Sequence, residues 1–338
     1  MNISKQDGFF TQIFPLAFVG DVSAGSLRKY LMNNYKIKGI DAFPERDNEK
    51  TRVFEGAKMS VCILYMLNEL PNKNFFMRTH WDRFVDELNE KVNIDIDGIE
   101  SIDKKNYSFP ITTGNELKIL KKVYSIQLRL LDIGHCYTGE IDLSIGKKYL
   151  TENKNDEILI KGAILDRFEL RKKMSQGQIQ FLDKTHYLTE NKGKKSSHHS
   201  SRRIVMQAIT GVNEKVRLKM TIVDENIFCA NSVNYLWISK ENISLEYLLG
   251  LMNSRLLNFI FSVNSTNSNV NGYEVDNLPI EISKNQNLIG NLADQILTAK
   301  KVNPQADTSK LEREIDVLVY DLYGLTEEEI AIVEESVE

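Results

Sequence analysis

The side chains whose types and spacing suit chemistry are cations, hydroxyls and amides gathered between residues 161 and 269. Lys161, Arg167, Arg171 and Lys172 come first. Lys192, Lys194, Lys195 and Ser196 follow in the run Asn191-Lys192-Gly193-Lys194-Lys195-Ser196-Ser197-His198-His199-Ser200-Ser201-Arg202-Arg203, which ends on Arg202 and Arg203. Gln207 and Lys219 lie beyond it. The wholly polar stretch Asn264-Ser265-Thr266-Asn267-Ser268-Asn269 adds Ser265, Asn267 and Asn269. Such groups neutralise phosphates and release counterions without reading any particular base. Residues 161–219 hold 14 Lys and Arg against 5 Asp and Glu, a net of +9. The whole chain carries −4, so the remainder sums to −13, and the positive charge is concentrated in one segment. A Gly-, Ser- and Lys-rich run cannot bury a core, so residues 191–203 read as a flexible basic loop suited to phosphate contacts.

Other chemistries find less support. His198 and His199 are adjacent, point apart on a strand, and have no carboxylate or cysteine at a helpful spacing, so no metal site is expected. Asp183 with Glu190-Asn191-Lys192, and Asp142 with Glu152-Asn153-Lys154, formally fit the Asp plus Glu-x-Lys pattern of metal nucleases, but both fall in turn-like polar runs. His80 and His135 stand without partners at ligand spacing. Cys62, Cys136 and Cys229 are far apart and form no C-x-x-C pair, as expected of a reducing, cytoplasmic setting. No run reaches transmembrane length and the N-terminus has no signal-peptide pattern, so no membrane partner is expected. A chain of 338 residues has room for two domains with sizeable cores.

The elements that must position these groups follow from apolar patterning. Gly8 to Phe18 reads as a buried strand, with Pro15 near its end. Asp21 or Ser23 can cap a helix from Ser26 to Asn34. Strands follow at Ile37 to Phe43 and at Met59 to Leu67, the second almost wholly apolar and therefore central. Trp81 to Val92 and Asn115 to Leu131 carry helical periodicity. Residues 158–168 read as strand, Gly turn and short strand. Beta-rich runs recur through Arg202 to Ile209, Leu218 to Ile227 and Val233 to Ile238. Ser244 then caps a helix apolar all round from Leu245 to Phe261, which must be buried. A last pair of helices begins near Thr308 and Thr326, with Gly324 between them and Thr326-Glu327-Glu328-Glu329 as a capping box.

Three stretches resemble a known family. Ile13-Phe14-Pro15-Leu16-Ala17-Phe18-Val19-Gly20-Asp21, Leu27-Arg28-Lys29-Tyr30-Leu31, Ile40-Asp41-Ala42-Phe43-Pro44-Glu45 and Val53-Phe54-Glu55-Gly56-Ala57-Lys58-Met59-Ser60-Val61-Cys62-Ile63 together resemble the end of the catalytic domain of adenine-specific DNA methyltransferases, in the restriction–modification class that includes fused type IIG enzymes. Lys161-Gly162, Asp166-Arg167-Phe168, Ile204 to Ile209, Asn231-Ser232-Val233-Asn234, Leu245 to Phe259 and Leu278-Pro279-Ile280 are similar to the TaqI-like C-terminal specificity domain, across roughly residues 158–282. Leu322-Tyr323-Gly324-Leu325-Thr326-Glu327-Glu328-Glu329 resembles the C-terminus of the same class.

The resemblance implies an α/β part followed by an α+β part. Residues 1–70 would be the end of a Rossmann-like methyltransferase sheet, residues 71–157 a helical connector, residues 158–283 a mixed DNA-recognition domain and residues 284–338 C-terminal helices. It also implies duplex DNA as partner and S-adenosyl-L-methionine as cofactor of the complete enzyme. The chain itself lacks the chemistry. Its six prolines, at 15, 44, 71, 110, 279 and 304, are never adjacent, so no Asn-Pro-Pro-Tyr loop to grip a flipped adenine is present. No Phe-x-Gly-x-Gly occurs either, so no cofactor is expected in this chain. The missing methyltransferase region or a separate catalytic chain is the implied partner. A docking subunit and an inactive remnant are the competing readings.

Overall fold

The first hundred residues form strands where the apolar runs are, but their order exposes one of them. The computed structural model describes residues 5–337 apart from 172, 174–176, 212–213, 241, 266–267 and 283–285. Lys172 and Asn267 therefore lie outside the described residues. Two compact units emerge, Met1–Gln127 with Ser262–Asn267, and Leu128–Phe261 with Ser268–Glu338. Both mix sheets and helices.

The first unit contains β1 (Phe9–Pro15), α1 (Ala17–Gly20), α2 (Gly25–Asn34), β2 (Lys36–Phe43), β3 (Val61–Leu67), β4 (Asn74–Thr79), β5 (Val92–Asp95), α3 (Ile96–Asp103) and α4 (Gly114–Tyr124). Its sheet has the order β1-β3-β2-β4-β5. β3 runs antiparallel to both β1 and β2, β4 is parallel to β2, and β5 is antiparallel to β4. The apolar β3 is internal, as its composition requires. β1 is not buried: it is the sheet's edge and most of its residues are exposed. An edge tolerates the missing donor of Pro15.

Residues 71–127 do not form a helical connector, because β4 and β5 extend this sheet. The helix expected from Trp81 to Val92 is absent. Carboxylates there bond nearby backbone instead: Arg83 N–H donates to Asp82 Oδ1 at 2.6 Å and Leu88 N–H to Asp86 Oδ1 at 2.9 Å. Such local bonds compete with helix formation. The expected apolar stripe consequently faces outward, with Trp81 69% and Phe84 72% exposed. His80, expected to stand alone, is buried with Nε2 2.8 Å from Asp41 Oδ1. Asp41 also accepts from Arg78 at 2.7 Å. Burial opposes the Asp41 charge, but Arg78 and His80 outweigh it and hold the carboxyl below its ordinary pKa. α4 stops at Tyr124 rather than near Leu131, where Ser125 Oγ turns back to donate to Lys122 O at 2.6 Å.

The second unit contains β6 (Gly134–Thr138), β7 (Leu150–Thr151), β8 (Glu157–Ile160), β9 (Leu165–Asp166), β10 (Glu169–Leu170), β11 (Gln180–Leu182), α5 (Lys184–Glu190), β12 (Arg203–Gln207), β13 (Met220–Val223), β14 (Phe228–Cys229) and β15 (Val233–Ile238). Helices α6 (Leu245–Asn253), α7 (Arg255–Asn264), α8 (Gly272–Asp276), α9 (Gln286–Val302), α10 (Ser309–Leu322) and α11 (Glu327–Val337) follow. One four-stranded sheet has the order β14-β8-β11-β7, the other β13-β12-β15-β6, and β9 pairs with β10 as a hairpin. The second of these sheets is antiparallel throughout. α9 packs against α6 and α10 against α9.

The apolar helix after Ser244 is two helices. Ser244 Oγ accepts from Tyr247 N–H at 3.0 Å, as a cap should, but the chain leaves helical geometry at Ser254. The residues at the break are buried polar groups with fixed partners. Asn253 Oδ1 accepts from Met220 N–H at 3.1 Å while its Nδ2 donates to Met220 O at 3.0 Å. Asn258 Oδ1 accepts from Leu218 N–H at 2.7 Å. The break thus lets Asn253 hold the start of β13 by its backbone and Asn258 hold the chain two residues before it.

A candidate nucleic-acid interface

The run read as a flexible basic loop is an ordered segment clamped from beneath. Lys194–Ser200 is a 3-10 helix. His198 lies flat on the Trp237 ring, 4.1 Å between centroids and 15° between planes, with Nδ1 2.8 Å from the Tyr235 hydroxyl. His199 lies on Phe228 at 4.3 Å and 17°, with Nδ1 2.7 Å from Ser196 O. The two histidines point to different places, and each lies on an aromatic ring. Among the described residues no group of three or more His, Cys, Asp or Glu is placed to hold a metal ion. Asp183 caps α5 by accepting from His186 N–H at 2.9 Å, and Glu190 Oε2 accepts from the Tyr149 hydroxyl at 2.8 Å. Those two nuclease-like carboxylates therefore act in structure.

Beneath the segment, Arg203 enters the core. Its side chain is 1% exposed, pairs with buried Glu140, and places its guanidinium carbon 4.2 Å from the Tyr235 ring centroid. Arg203 Nη2 also donates to Ile227 O at 2.7 Å, and Glu140 Oε2 accepts from Cys229 N–H at 3.0 Å. Burial works against the Arg203 charge, and the Cys229 and Glu140 groups outweigh it, so its pKa stays above the ordinary arginine value. Arg203 was expected at the phosphate surface. That expectation is corrected: its partners are internal and it joins β12 to β14. Ser196 is corrected in the same way. It is buried, with Oγ donating to Asn191 O at 2.7 Å and Gly193 O at 2.6 Å.

The remaining expected contacts divide by how far their charge is committed. The side chains of Lys192 and Lys194 are exposed and make no hydrogen bond or ion pair among the described residues, while the Lys194 carbonyl accepts from Ser197 Oγ at 2.7 Å. Lys195 sits in the same segment and donates to Gly139 O at 2.9 Å. Arg202 is exposed but pairs with Glu246 at 2.9 Å. Lys219 pairs with Glu214 at 3.0 Å, and Arg171 with Asp166. Arg167 Nη2 reaches Asn253 O at 2.8 Å and Glu312 at 3.1 Å. Lys161 donates to Gln178 O at 3.1 Å, and burial lowers its pKa. Gln207 is half-buried and donates to Leu165 O at 2.6 Å, tying β12 to β9. Asn269 is exposed. Ser265 belongs to the other unit. Lys194 and Lys195 therefore open the 3-10 helix, with Lys192 two residues before it and Arg202 two residues beyond its end, while Arg167 lies in the turn of the β9–β10 hairpin and Arg171 follows it.

Sequence reasoning missed Glu140, Tyr235, Trp237 and Asn253 as the parts that hold this surface. Buried aromatics on β15 were visible as strand residues, but nothing local marks which of them carries a histidine. His135, expected alone, has Nδ1 2.6 Å from Asp276 Oδ2.

Residues 157–280 match the family model of the TaqI-like C-terminal specificity domain. No curated protein sequence matches the chain. Among solved structures, the type IIL restriction-modification enzyme MmeI in complex with DNA is similar over 97% of this chain and 49% of its own, with a TM-score of 0.57 and 12% identity. The type IIG restriction endonuclease BpuSI covers 94% of this chain and 47% of its own at a TM-score of 0.39 and 11% identity. A nuclease-deletion mutant of the type ISP restriction-modification enzyme LlaGI, in complex with a DNA substrate mimic, covers 87% and 35% at 0.41 and 12%. The chain spans about half the length of MmeI, and at that identity the likeness is one of fold.

Proposed function

We propose that residues 157–280, a TaqI-like C-terminal specificity domain, give this chain sequence-specific recognition of double-stranded DNA within a restriction-modification enzyme. The observation that carries this reading is the coincidence of that domain with the chain's one cationic segment, where Lys194 opens an ordered 3-10 helix, Lys192 lies two residues before it, and both are exposed. An ordered rim of uncommitted cations suits a phosphate backbone, because the ordering cost is already met before DNA arrives.

The finer reading is an adenine-specific methyltransferase of the type IIG class. Its methyl-transfer site and its S-adenosyl-L-methionine site would lie outside this chain, in a further methyltransferase region or a separate catalytic chain. The absence of any Pro-Pro pair from the 338 residues supports that division. The five-stranded sheet of the first unit then serves as the end of a Rossmann-like methyltransferase sheet, with residues 158–283 as recognition domain and 284–338 as supporting helices. The expected location is cytoplasmic; no described helix is long and apolar enough to cross a membrane.

The second reading, a docking subunit for a separate catalytic chain, draws on the first unit. β1 is an edge strand with Phe9 63% exposed, and Trp81, Phe84 and Leu88 are also exposed. Co-purification with a methyltransferase chain supports it, and a chain that stays alone in the presence of one opposes it.

Gel-shift titration of duplex DNA at two salt concentrations tests the main reading. Affinity is expected to fall steeply with salt. Affinity indifferent to salt would remove the phosphate-contact part.

A further inference from the structure

β12 ends at Gln207, but pairing continues beyond it. Ala208 N–H donates to Ser232 O at 3.0 Å and Val270 N–H donates to Ala208 O at 2.9 Å. Thr210 N–H and Gly211 N–H both reach Ser268 O, at 3.1 and 3.3 Å, and Ile209 and Asn269 form an antiparallel bridge. Gly211 has φ +78°, a left-handed turn that glycine takes without strain. Residues 208–211 and 268–270 therefore make a short two-stranded tip. Asn234 Nδ2 holds it to β15 through Val270 O at 2.5 Å.

Under the tip lies Arg217, 1% exposed. Its Nε is 3.4 Å from Thr210 Oγ1, its Nη2 is 3.4 Å from Asn269 O, and its guanidinium carbon is 5.1 Å from the Phe261 ring centroid. Burial lowers the Arg217 pKa, so keeping that cation under the tip has a cost. A costly buried cation that grips both strands of a surface tip fixes the tip's geometry.

The tip inverts the usual alternation. Strand period places Thr210 inward, where it is buried, and Ile209 outward, 62% exposed. Burial alone would choose the opposite. On an element held by these bonds, a break in local patterning is expected at functional or strained positions. Ile209 is β-branched and stiff at χ1, so it offers a fixed apolar surface.

We propose that Ile209 is a specificity-determining residue that contacts the methyl group of one thymine in the major groove, with Arg217 as the positioning residue of the tip. The inference rests on the DNA-recognition reading above. The major groove admits a two-stranded ribbon, and the thymine methyl is the apolar feature its base edges display.

The test uses the full chain and a duplex pool with a randomised core. The wild type is expected to enrich a motif containing an invariant thymine, and to bind about fivefold more weakly when deoxyuridine, which lacks only the methyl, replaces it. Ile209→Ala is expected to lose the preference at that position alone, to bind the thymine and deoxyuridine duplexes equally, and to keep the wild-type melting temperature. The same motif and the same deoxyuridine penalty in Ile209→Ala would overturn the assignment while leaving the DNA reading intact. A wild type that enriches no motif would overturn the DNA reading and the assignment with it. Arg217→Met is expected to blur the same position; sharp retention of the thymine in a folded Arg217→Met protein would remove the positioning role.

Discussion

Arg203 and Glu140 form an ion pair with 1% and 0% of their side chains exposed, joining β12 to the strand through Cys229. Breaking such a pair leaves an uncompensated buried charge, which costs about 3–5 kcal/mol. Glu140→Ala is therefore expected to lower the unfolding free energy, measured by urea denaturation, by an amount in that range. A loss under about 1 kcal/mol would show that the pair does not hold the fold. Arg203→Ala is expected to act on stability in the same way and to leave the salt slope of DNA binding unchanged in the protein that remains folded.

The exposed cations are expected to behave in the opposite sense. Lys192→Ala together with Lys194→Ala removes two charges with no internal partner among the described residues. Each phosphate contact contributes roughly −0.9 to the slope of log affinity against log salt. The double variant should flatten the slope by about 2 and leave unfolding within about 0.5 kcal/mol of wild type. Isothermal affinity measurements across salt check the first part and chemical denaturation the second.

The His198 seat makes the clamp sensitive to acid. Burial first, then the neighbouring Arg203, holds its pKa below the ordinary 6.5, with Lys194 and Lys195 adding to the depression and Glu140 opposing it. The Tyr235 hydroxyl, the Tyr137 ring and the Trp237 ring complete its surroundings. A histidine with a depressed folded pKa is protonated more readily in the unfolded chain. Its contribution is complete above about pH 6.5 and is lost as pH falls below that value. Melting temperature is expected to drop from pH 7 to pH 5, and the drop is expected to be shallower in His198→Phe, which keeps the stack and removes the titration. An unchanged slope in that variant would count against the seat as the acid-sensitive group.

Gly162 offers a purely steric test. A Cβ there would lie 2.5 Å from Ser232 O, and Gly162 N–H donates to Ser232 Oγ at 3.1 Å. The neighbour is backbone and cannot swing aside. Gly162→Ala is expected to cost about 1–3 kcal/mol, measured by urea denaturation. Wild-type stability in that variant would mean that residues 162 and 232 are not this close.

What the sequence made legible was local. β2, β3 and α2 follow apolar runs, Ser244 caps the helix it precedes, and Thr326 accepts from Glu329 N–H at 3.3 Å in the expected box. The basic segment was legible as charge. Which charges face solvent was not, because Arg203 finds its partner 63 residues away and His198 finds Tyr235 37 residues away. Periodicity also misled at Trp81 to Val92, where side-chain carboxylates capture the backbone donors a helix would need. Adjacent Arg202 and Arg203 look alike in sequence; Arg202 lies just before β12 and is exposed, while Arg203 opens the strand and is buried.

The central claim is that this chain reads DNA sequence. The direct measurement is the ratio of affinities, at one fixed near-physiological salt concentration, for the duplex enriched from a randomised pool and for the same duplex with its enriched bases scrambled. A recognition domain is expected to prefer the enriched duplex by at least about a thousandfold. Equal affinity for the two, with strong salt dependence, would show a non-specific cationic surface and contradict the account.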